Sequence, residues 1–375
     1  MRKQLTIFVA SLTLALSAMA ALQAPASATP DYYIPQGGPA FNNPYGKEKE
    51  VRRLIRQVNR TIDSVPRGGK IRISAWNVRS YHLTSSLIRA HRRNVSVQVV
   101  MDRLNWNPNN PNIDAARLHA ALKKGNKNRS ADMKSFLKRC LSSCRGKHGI
   151  PHSKFFLFNK VKGKRKDGTQ RTVKWVTMFG SYNATELGAT IQWNDLYTVK
   201  NDYPRWKTFE NIFNEMRRDK KRRQGFVQYD DGVLYNAFYP YTGAGTEADP
   251  VMAMLDQIRC KGAAVGNGRT RIRIAQTSMY GDRGLMIARK LAKLKKQGCN
   301  IRLVYAMFGN QVLKILRNAG VPLTHLAYDS NEDGLYDKYV HMKAMAVSGH
   351  IYGNPAGKIT LNGSANWTSV ALASD

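Results

Sequence analysis

Two short motifs combine histidine, lysine, serine and asparagine, and both occur twice in this chain in the same order. His-Ser-Lys at 152–154 precedes Gly-Ser-Tyr-Asn at 180–183, and His-Met-Lys at 341–343 precedes Gly-Ser-Ala-Asn at 363–366. Within each motif the polar residues alternate, so on a β-strand they would project from one face. Two adjacent strands would then direct an imidazole, an ammonium group and a carboxamide towards one point.

This set of groups predicts chemistry on a phosphodiester. One neutral imidazole would attack phosphorus, while the other would protonate the leaving oxygen and then activate water. A covalent phosphohistidine therefore needs two histidines, and the duplicated motif supplies His152 and His341. The scheme needs no metal ion and no cofactor, because cationic and neutral donors can hold the phosphate oxygens. The predicted phosphate-binding residues are Lys154, Ser181, Asn183, Lys343, Ser364 and Asn366.

These motifs resemble the signature of the phospholipase D superfamily, His-x-Lys-x4-Asp with a downstream Gly-Ser-x-Asn. The resemblance extends less sharply from about Tyr45 to the end of the chain. It implies two duplicated α/β/α units related by pseudo-twofold symmetry, with the active site at their interface. The aspartate of the signature is replaced by Asn159 in the first copy and Ser348 in the second. Both replacements keep hydrogen-bonding capacity and lose the charge.

A nucleophilic histidine needs an acceptor at its far nitrogen, usually a carboxylate. Members of the superfamily place an acidic residue shortly after Gly-Ser-x-Asn, and Asp195 occupies that place in the first half. We therefore expect Asp195 to orient His152. His152 is predicted to be the nucleophile, as the resemblance to secreted bacterial members implies, and His341 the acid and base. In the second half, either Asp375 is the equivalent residue or the sequence lacks the last strand.

The two halves also repeat a strand–helix–strand order, which is typical of α/β units. Alternating apolar residues and a Gly stop signal predict the same elements in each half. They are strands at 70–73, 95–101, 195–199, 271–274 and 301–305, and helices at 83–91 and 285–297. Proline and glycine cluster near 235–249. The predicted organisation is a signal peptide at 1–28, a first half at 29–235 and a second half at 236–375.

The N-terminus has the pattern of a secretory signal peptide. A short basic start precedes an apolar run from Leu5 to Leu22, and an Ala-Ser-Ala site follows before Thr29. An N-terminal membrane anchor is the alternative, because the run is nearly long enough to span a bilayer. We expect a secreted protein that is a monomer, with no transmembrane segment after cleavage.

Four cysteines in a secreted chain favour disulfide bonds. We favour Cys140–Cys144 and Cys260–Cys299, because each bridge then stays within one half. Four cysteines allow three connectivities, so this remains a preference. A zinc site is the alternative, although CxxxC has no matching second pair.

The formal net charge of +35 predicts attraction to polyanions such as nucleic acid, anionic lipid or cell-wall phosphate polymers. Basic residues concentrate at 160–166, around a predicted hairpin tip, and at 217–223. Either segment is a polyanion contact or a solvated surface. The acidic turn at 329–334 resembles the start of a calcium loop, but Val340 stands where an EF-hand needs glutamate. It is therefore interpreted as an exposed turn.

Three functions fit these features. The first is a secreted phospholipase D that hydrolyses or transfers the phosphatidyl group of glycerophospholipids. A metal-independent nuclease of the same superfamily is the second, and a non-catalytic polyanion-binding protein is the third. Apolar residues beside the site would favour a lipid substrate. The candidates are Phe155, Phe156, Phe158 and Trp367, which a strand core explains equally well.

Overall fold

The computed structural model of the protein describes residues 32–164, 167–222, 225–241 and 249–375. Several sequence predictions therefore lie outside the described residues. They are the signal peptide at 1–28, the basic residues Arg165, Lys166 and Arg223, and part of the boundary at 235–249.

Strands and helices alternate through residues 32–241. The strands are β1 (Gly38–Phe41), β2 (Lys70–Ser74), β3 (Val78–Arg79), β4 (Ser96–Asp102), β5 (Phe136–Cys140), β6 (Phe155–Lys164), β7 (Gln170–Gly180), β8 (Ala184–Thr185), β9 (Gln192–Trp193), β10 (Asp195–Val199), β11 (Val227–Asp230) and β12 (Tyr235–Phe238). The helices are α1 (Glu48–Val51), α2 (Arg53–Asp63), α3 (Tyr81–Arg92), α4 (Ile113–Lys124), α5 (Glu186–Thr190) and α6 (Tyr203–Met216), with 3-10 turns at Arg103–Asn105 and Ala131–Met133.

The same alternation continues through residues 249–375. The strands are β13 (Ile258–Arg259), β14 (Arg271–Met279), β15 (Asn300–Phe308), β16 (Leu323–His325), β17 (Ala327–Tyr328), β18 (Lys338–Val340), β19 (Lys343–Ile351) and β20 (Asn354–Leu361). The helices are α7 (Pro250–Asp256), α8 (Gly281–Lys296), α9 (Asn310–Asn318) and α10 (Ser369–Ala373).

Local sequence signals explain where the long helices begin and end. Ser80 caps α3, because its hydroxyl oxygen accepts a hydrogen bond from the backbone N–H of Leu83 at 3.3 Å. α8 buries Ile287, Leu291 and Leu294 along one side, which is the period of an amphipathic helix. Gly298 follows with a φ of 99°, a conformation that favours glycine after a helix.

The two large sheets share one strand order. In the first sheet the order is β1-β10-β7-β6-β2-β4-β5, and in the second β19 lies between β14 and β20, followed by β15 and β16. β2, β4 and β5 run parallel, as do β14, β15 and β16, while β6 and β19 are antiparallel to their neighbours. The order β7-β6-β2-β4-β5 is thus matched by β20-β19-β14-β15-β16. This is the α/β architecture that the sequence predicts.

Hydrophobic cores form separately in the two parts of the chain. Two cores hold residues between Ala40 and Phe238, and a third holds residues between Val251 and Trp367. The four apolar residues considered for lipid contact are all buried in these cores: Phe155, Phe156, Phe158 and Trp367. Strand packing therefore accounts for them. The exact domain boundary stays a prediction.

A small three-stranded ribbon joins the two halves beside the histidine motifs. β9 of the first half pairs in parallel with β18 of the second, and β18 pairs with β17. The residue after β9 is Asn194, and the residue after β18 is His341. The ribbon therefore brings a first-half polar residue next to the second histidine.

Both predicted disulfide bonds are confirmed, Cys140–Cys144 and Cys260–Cys299. The predicted basic hairpin is confirmed as well, since β6 and β7 pair up to Lys164 and Gln170. In the described part of the chain, no helix combines the length and apolar character needed to cross a bilayer.

Candidate active site

The two histidine–lysine motifs lead into the matching strands of the two sheets. Lys154 directly precedes β6, and Lys343 is the first residue of β19. The sequence pattern placed the histidines on these strands. In the structure His152 and His341 instead lie in the segments just before them. The repeated strand order puts the two motifs at corresponding ends of their sheets.

Each lysine folds back onto the backbone of its own motif. Lys154 Nζ donates to the carbonyl oxygen of His152 at 2.5 Å, and Lys343 Nζ donates to that of His341 at 2.5 Å. Lys343 Nζ also donates to Thr277 Oγ1 at 2.8 Å. Both lysines are buried. Because an ammonium group has three N–H donors, each lysine keeps at least one for a bound anion.

The hydroxyl of Ser181, which the sequence analysis predicted to bind phosphate, is hydrogen-bonded within the protein. Ser181 Oγ donates to Asn194 Oδ1 at 2.9 Å and accepts from the backbone N–H of Asp195 at 2.9 Å. The preceding glycine permits this close approach of β10, because a Cβ on Gly180 would lie 2.5 Å from the Asp195 carbonyl oxygen. Ser181 thus fixes the segment that follows β9.

Asn194 contacts His341 across the boundary between the halves. Asn194 Oδ1 lies 2.8 Å from His341 Nδ1, and Asn194 Nδ2 donates to the Gly188 carbonyl oxygen at 2.8 Å. Because the Nδ2 amide faces a carbonyl, the oxygen must face the imidazole, and His341 Nδ1 carries the proton. In the neutral imidazole of His341, Nε2 is then the nitrogen without a proton.

Asp195 does not contact His152, and this corrects the predicted orienting role. Its carboxylate accepts a hydrogen bond from Asn362 Nδ2 of the second half at 2.8 Å. Burial raises the pKa of this carboxyl group. Consecutive residues of a strand point to opposite faces, so Asn194 and Asp195 cannot both face one histidine. The orienting side chain is Asn194, and the histidine that it orients is His341.

The second Gly-Ser-x-Asn segment is more open than the first. Ser364 and Asn366 are half-buried, whereas their first-copy counterparts are buried. The segment is supported through its backbone by Arg283, which donates to the Asn366 carbonyl oxygen at 2.8 Å. Arg283 is itself held by Asp249 at 2.6 Å. The Ser364 side chain is therefore better placed than Ser181 to meet a substrate.

The carboxamides of Asn183 and Asn366 both retain hydrogen-bonding capacity. Their side-chain oxygens are buried and have no hydrogen-bond partner among the described residues. Buried polar atoms are normally paired. These two oxygens therefore mark positions where water or a substrate group completes the site.

Electrostatics link the two histidines and the two lysines into one cluster. Burial lowers the pKa of His152 well below its usual range, and the charges of Lys154 and Lys343 act in the same direction. Burial likewise lowers the pKa of His341, with further contributions from Lys343, Lys154 and His152. The pKa values of both lysines are also lowered, first by burial. The cluster carries an excess of positive potential that suits an anion.

Each histidine also contacts the Gly-Ser-x-Asn segment of the other half. A hydrogen bond to the backbone of Ser364 opposes the lowering of the pKa of His152, and one to the backbone of Ser181 does the same for His341. The two motif copies therefore form one site with crossed contacts, in which neither half is complete alone.

An open cavity adjoins His152. Ser364, Arg145 and Asp375 are among its lining residues. The buried Arg145 is held by Glu215 at 2.9 Å, and the Asp375 carboxylate accepts from the backbone N–H of Arg145 at 3.0 Å. The Asp375 carbonyl oxygen accepts from the backbone N–H of His152 at 2.9 Å. Asp375 thus supports the His152 segment by its backbone, and its carboxylate is engaged elsewhere.

The residues at the two aspartate positions of the signature lie away from the phosphate-binding groups. Asn159 Oδ1 accepts from the backbone N–H of Lys70 at 2.7 Å and so fixes the start of β2. Ser348 lies further along β19, paired with Arg271 at the start of β14. Loss of the aspartate charge therefore leaves the histidine–lysine cluster intact.

Sequence reasoning missed several residues that position this site. Thr277 accepts a hydrogen bond from Lys343. Arg145 lines the cavity beside His152, and Arg283 donates to the backbone carbonyl of Asn366. A single sequence gives no periodic signal for such residues. Asn194 was adjacent to the predicted orienter, and the side-chain alternation of a strand was the only available sign that it, rather than Asp195, faces a histidine.

Among the described residues, no group of three or more His, Cys, Asp or Glu side chains is arranged to hold a metal ion.

Known proteins provide an independent comparison. Residues 64–217 match the family model described as "Cardiolipin synthase, PLD-like domain". No curated protein matches the chain in sequence.

A solved structure of low sequence identity shares the fold. Polyphosphate kinase from Porphyromonas gingivalis superposes with a TM-score of 0.51 at 14% identity, over 88% of this chain and 45% of the kinase. The chain thus spans less than half the length of that protein. Phosphatidylserine synthase from Haemophilus influenzae Rd KW20 gives a TM-score of 0.47 at 12% identity, over 79% and 74% of the two chains.

Nuc from Salmonella typhimurium, a phospholipase D family member, aligns over 48% of this chain and 95% of its own, with 18% identity and a TM-score of 0.30. The matched phospholipase D-like model ends at residue 217, and the second histidine–lysine motif meets the first in one buried cluster. Residues 64–217 of the chain are thus similar to a phospholipase D-like domain.

Proposed function

We propose that the protein is a phosphodiesterase that cleaves its substrate through a covalent phosphohistidine and needs no metal ion. The observation that carries the proposal is the single cluster of His152, Lys154, His341 and Lys343, drawn from both halves. The lysines supply the positive charge that the anionic oxygens require. Burial keeps both imidazoles neutral in the free protein, as a nucleophile and a base must be.

His152 is the nucleophile in this proposal. It borders the open cavity, whereas His341 is buried and its Nδ1 is held by Asn194. In the first step a ring nitrogen of His152 bonds to phosphorus as the bond to the leaving oxygen breaks, and His341 gives that oxygen its proton. In the second step His341 takes a proton from water, whose oxygen attacks phosphorus and displaces His152. The products are an alcohol and a phosphomonoester.

Substrate binding supplies the protonated acid that the first step needs. In the free protein burial and the neighbouring lysines lower the pKa of His341, so that it is neutral. A phosphodiester anion bound between Lys154 and Lys343 offsets their charges and raises the pKa of the adjacent imidazole. His341 therefore gains its proton together with the substrate.

A nucleic acid is the substrate class that these features favour. The net charge is +35, and an exposed basic segment at 217–222 adjoins the cavity wall. Arg222 donates its backbone N–H to the carbonyl oxygen of Arg145, which lines the cavity. Cations along the approach to the site would hold the phosphates that flank the scissile one.

Phosphatidyl hydrolysis or transfer is the second candidate. It is favoured by the description of the matched family model, which names cardiolipin synthase. The apolar residues considered for lipid contact do not support it, because they pack in the cores. Secretion is also proposed, from the pattern at 1–28 and from the two disulfide bonds. A mature N-terminus at Thr29 in protein from culture medium would support it, and retention of residues 1–28 would refute it.

The chemistry is tested with bis(p-nitrophenyl) phosphate in excess chelator. We expect turnover to persist, and rapid quenching to trap an acid-labile phosphoryl group on a peptide that contains His152. A control with His152→Ala should give no labelled peptide. Loss of turnover in chelator, restored by a divalent metal, would refute the proposed mechanism.

The substrate class is tested with the same protein on single-stranded DNA and on phosphatidylcholine vesicles, again in chelator. We expect cleavage of the DNA. Release of phosphatidic acid without cleavage of DNA would select the phospholipase function. Tight binding of DNA or anionic vesicles without turnover of any phosphodiester would select a non-catalytic polyanion-binding protein.

A further inference from the structure

Aromatic rings lie next to both histidines of the site. The ring centroid of Trp76 is 6.2 Å from that of His152, and the centroid of Tyr339 is 6.0 Å from that of His341. Beyond Tyr339 the rings continue away from the site at 6.0 Å steps. We call the four rings beside and beyond the histidines the aromatic track: Trp76, Tyr339, Tyr336 and His325.

Core packing does not account for the aromatic track. The three hydrophobic cores of the described chain contain none of its residues. Trp76, Tyr336 and Tyr339 are half-buried, and His325 is exposed. A row of rings with water on one side and a catalytic cluster at its end is typical of a surface that contacts a ligand.

The rings nearest the histidines are held in place. The Tyr339 hydroxyl is bonded to Gln192 Nε2 of the first half. The Trp76 carbonyl oxygen accepts from Asn105 Nδ2 at 3.0 Å, and its side chain hydrogen-bonds the carboxyl group of Asp102. Rings fixed before binding lose little conformational entropy when a ligand stacks on them.

Resting on the proposed phosphodiesterase function, we infer that the aromatic track stacks the unpaired bases that flank the scissile phosphate of a single-stranded nucleic acid. Every base has a π-face, and stacking on an aromatic side chain contributes about 1–3 kcal/mol per base. Successive rings are in direct contact at 6.0 Å with interplanar angles of 48°, 74° and 83°, so a base would stack on the exposed face of a ring and not between two rings. Duplex DNA keeps its bases paired and stacked inside, where these rings do not reach.

The reverse face of the same ribbon offers a matched control. Tyr45, Trp193 and Tyr328 form a second ring cluster there, with Lys338 Nζ 4.4 Å from the centroid of the Tyr45 ring. Trp193 and the adjacent Asn194 point to opposite faces, so this cluster lies on the side away from His341. Tyr328 is 45% exposed, and its ring borders neither histidine.

The test measures binding without cleavage. Fluorescent oligothymidylate of eight nucleotides is titrated, by anisotropy in chelator, into His152→Ala protein that carries a second substitution. We expect Tyr336→Leu to raise the Kd for this single strand by about 10-fold, in line with the loss of one stacked base. Tyr336→Phe should keep the wild-type affinity because it keeps the ring, and Tyr328→Leu should change the Kd by less than about twofold.

Melting temperature and circular dichroism confirm that each variant is folded. An unchanged Kd in Tyr336→Leu overturns the inference, as does a Tyr336→Phe variant that binds as weakly as Tyr336→Leu. If Tyr328→Leu raised the Kd as much as Tyr336→Leu, the effect would belong to the ribbon as a whole, and the inference about the aromatic track would be wrong. A loss confined to phosphatidylcholine vesicles would assign the rings to a quaternary ammonium headgroup instead. The proposed function fails separately, through absent turnover of bis(p-nitrophenyl) phosphate by the unmodified protein.

Discussion

The two Gly-Ser-x-Asn segments have the same motif but differ in what holds them. In the first copy the Ser181 hydroxyl is bonded to Asn194 and to the backbone of Asp195, and the segment is buried. In the second copy Ser364 is half-buried beside the cavity, and Arg283 supports only the backbone. The first copy is thus held by more contacts of its serine side chain than the second.

The same asymmetry extends to the histidines. Nδ1 of His341 is hydrogen-bonded to Asn194 of the first half. His152 instead lines the cavity and contacts the backbone of Ser364. A duplicated motif therefore need not give equivalent catalytic groups. The proposed mechanism uses this difference to give attack to His152 and proton transfer to His341, and experiments can contradict this choice.

The largest effect is expected from the histidines themselves. His152→Ala should abolish turnover of every phosphodiester, because no covalent bond to phosphorus can form. His341→Ala should lower kcat by about 10²–10⁴-fold for esters with alkoxide leaving groups. With bis(p-nitrophenyl) phosphate the first step should be affected far less, because its leaving group departs without a proton, while hydrolysis of the phosphohistidine still needs His341. The rate of the p-nitrophenolate burst in a single turnover, compared with that for an alkyl ester, measures this, and the opposite pattern would exchange the two roles.

A smaller effect distinguishes the two serines. Ser181→Ala removes one of the two hydrogen bonds to the buried Asn194 oxygen and takes the hydroxyl partner from the Asp195 N–H, which costs about 1–3 kcal/mol in the free energy of unfolding. Ser364→Ala should leave that free energy within about 0.5 kcal/mol and raise KM, since a position near the surface tolerates substitution. Urea unfolding and steady-state kinetics of both variants check this. Equal losses in the free energy of unfolding of the two variants would contradict this difference between the two segments.

The asparagine that positions His341 gives a pH-dependent test. Asn194→Asp places a carboxylate 2.8 Å from Nδ1, where the wild type has a neutral amide oxygen. A carboxylate favours the charged imidazolium, so the pKa of His341 should rise by about one unit or more. In the free wild-type protein that pKa is lowered, so the optimum of kcat/KM lies on the acid side and should move to higher pH in the variant. Asn194→Ala is the control, and an unmoved optimum in Asn194→Asp would contradict the orienting role.

The sequence was sufficient for the parts of the site that repeat or alternate. The two His-x-Lys motifs, the duplicated strand order and the helix at Tyr81–Arg92 all follow from local patterns, and the disulfide bonds from the location of each pair within one half. The partner of His341 could not be predicted in this way. It depends on the pairing of β9 with β18, which joins residues far apart in the chain. The buried arginines depend on similar long-range contacts, such as Arg283 with Asn366.

The smallest predicted effect concerns how a polyanion approaches the site. Arg217, Arg218 and Lys220 are exposed at the end of α6, next to the cavity wall at Arg145. Replacing all three by glutamine should weaken binding of single-stranded DNA and flatten the plot of log Kd against log salt by about 2, at roughly 0.7 per lost phosphate contact.

The second half provides a control with the same charge change. Three exposed basic residues lie on α8: Arg289, Lys293 and Lys296. The last turn of α8 leads to Asn300, which pairs with Arg271. Arg271 is at the end of β14 that is remote from Thr277. Replacing these three by glutamine removes as much charge far from the histidines, so the salt slope should stay nearly unchanged. Equal flattening in both triple variants would show that DNA responds only to the net charge of +35. The basic residues beside the first half would then give no information on the path of the substrate.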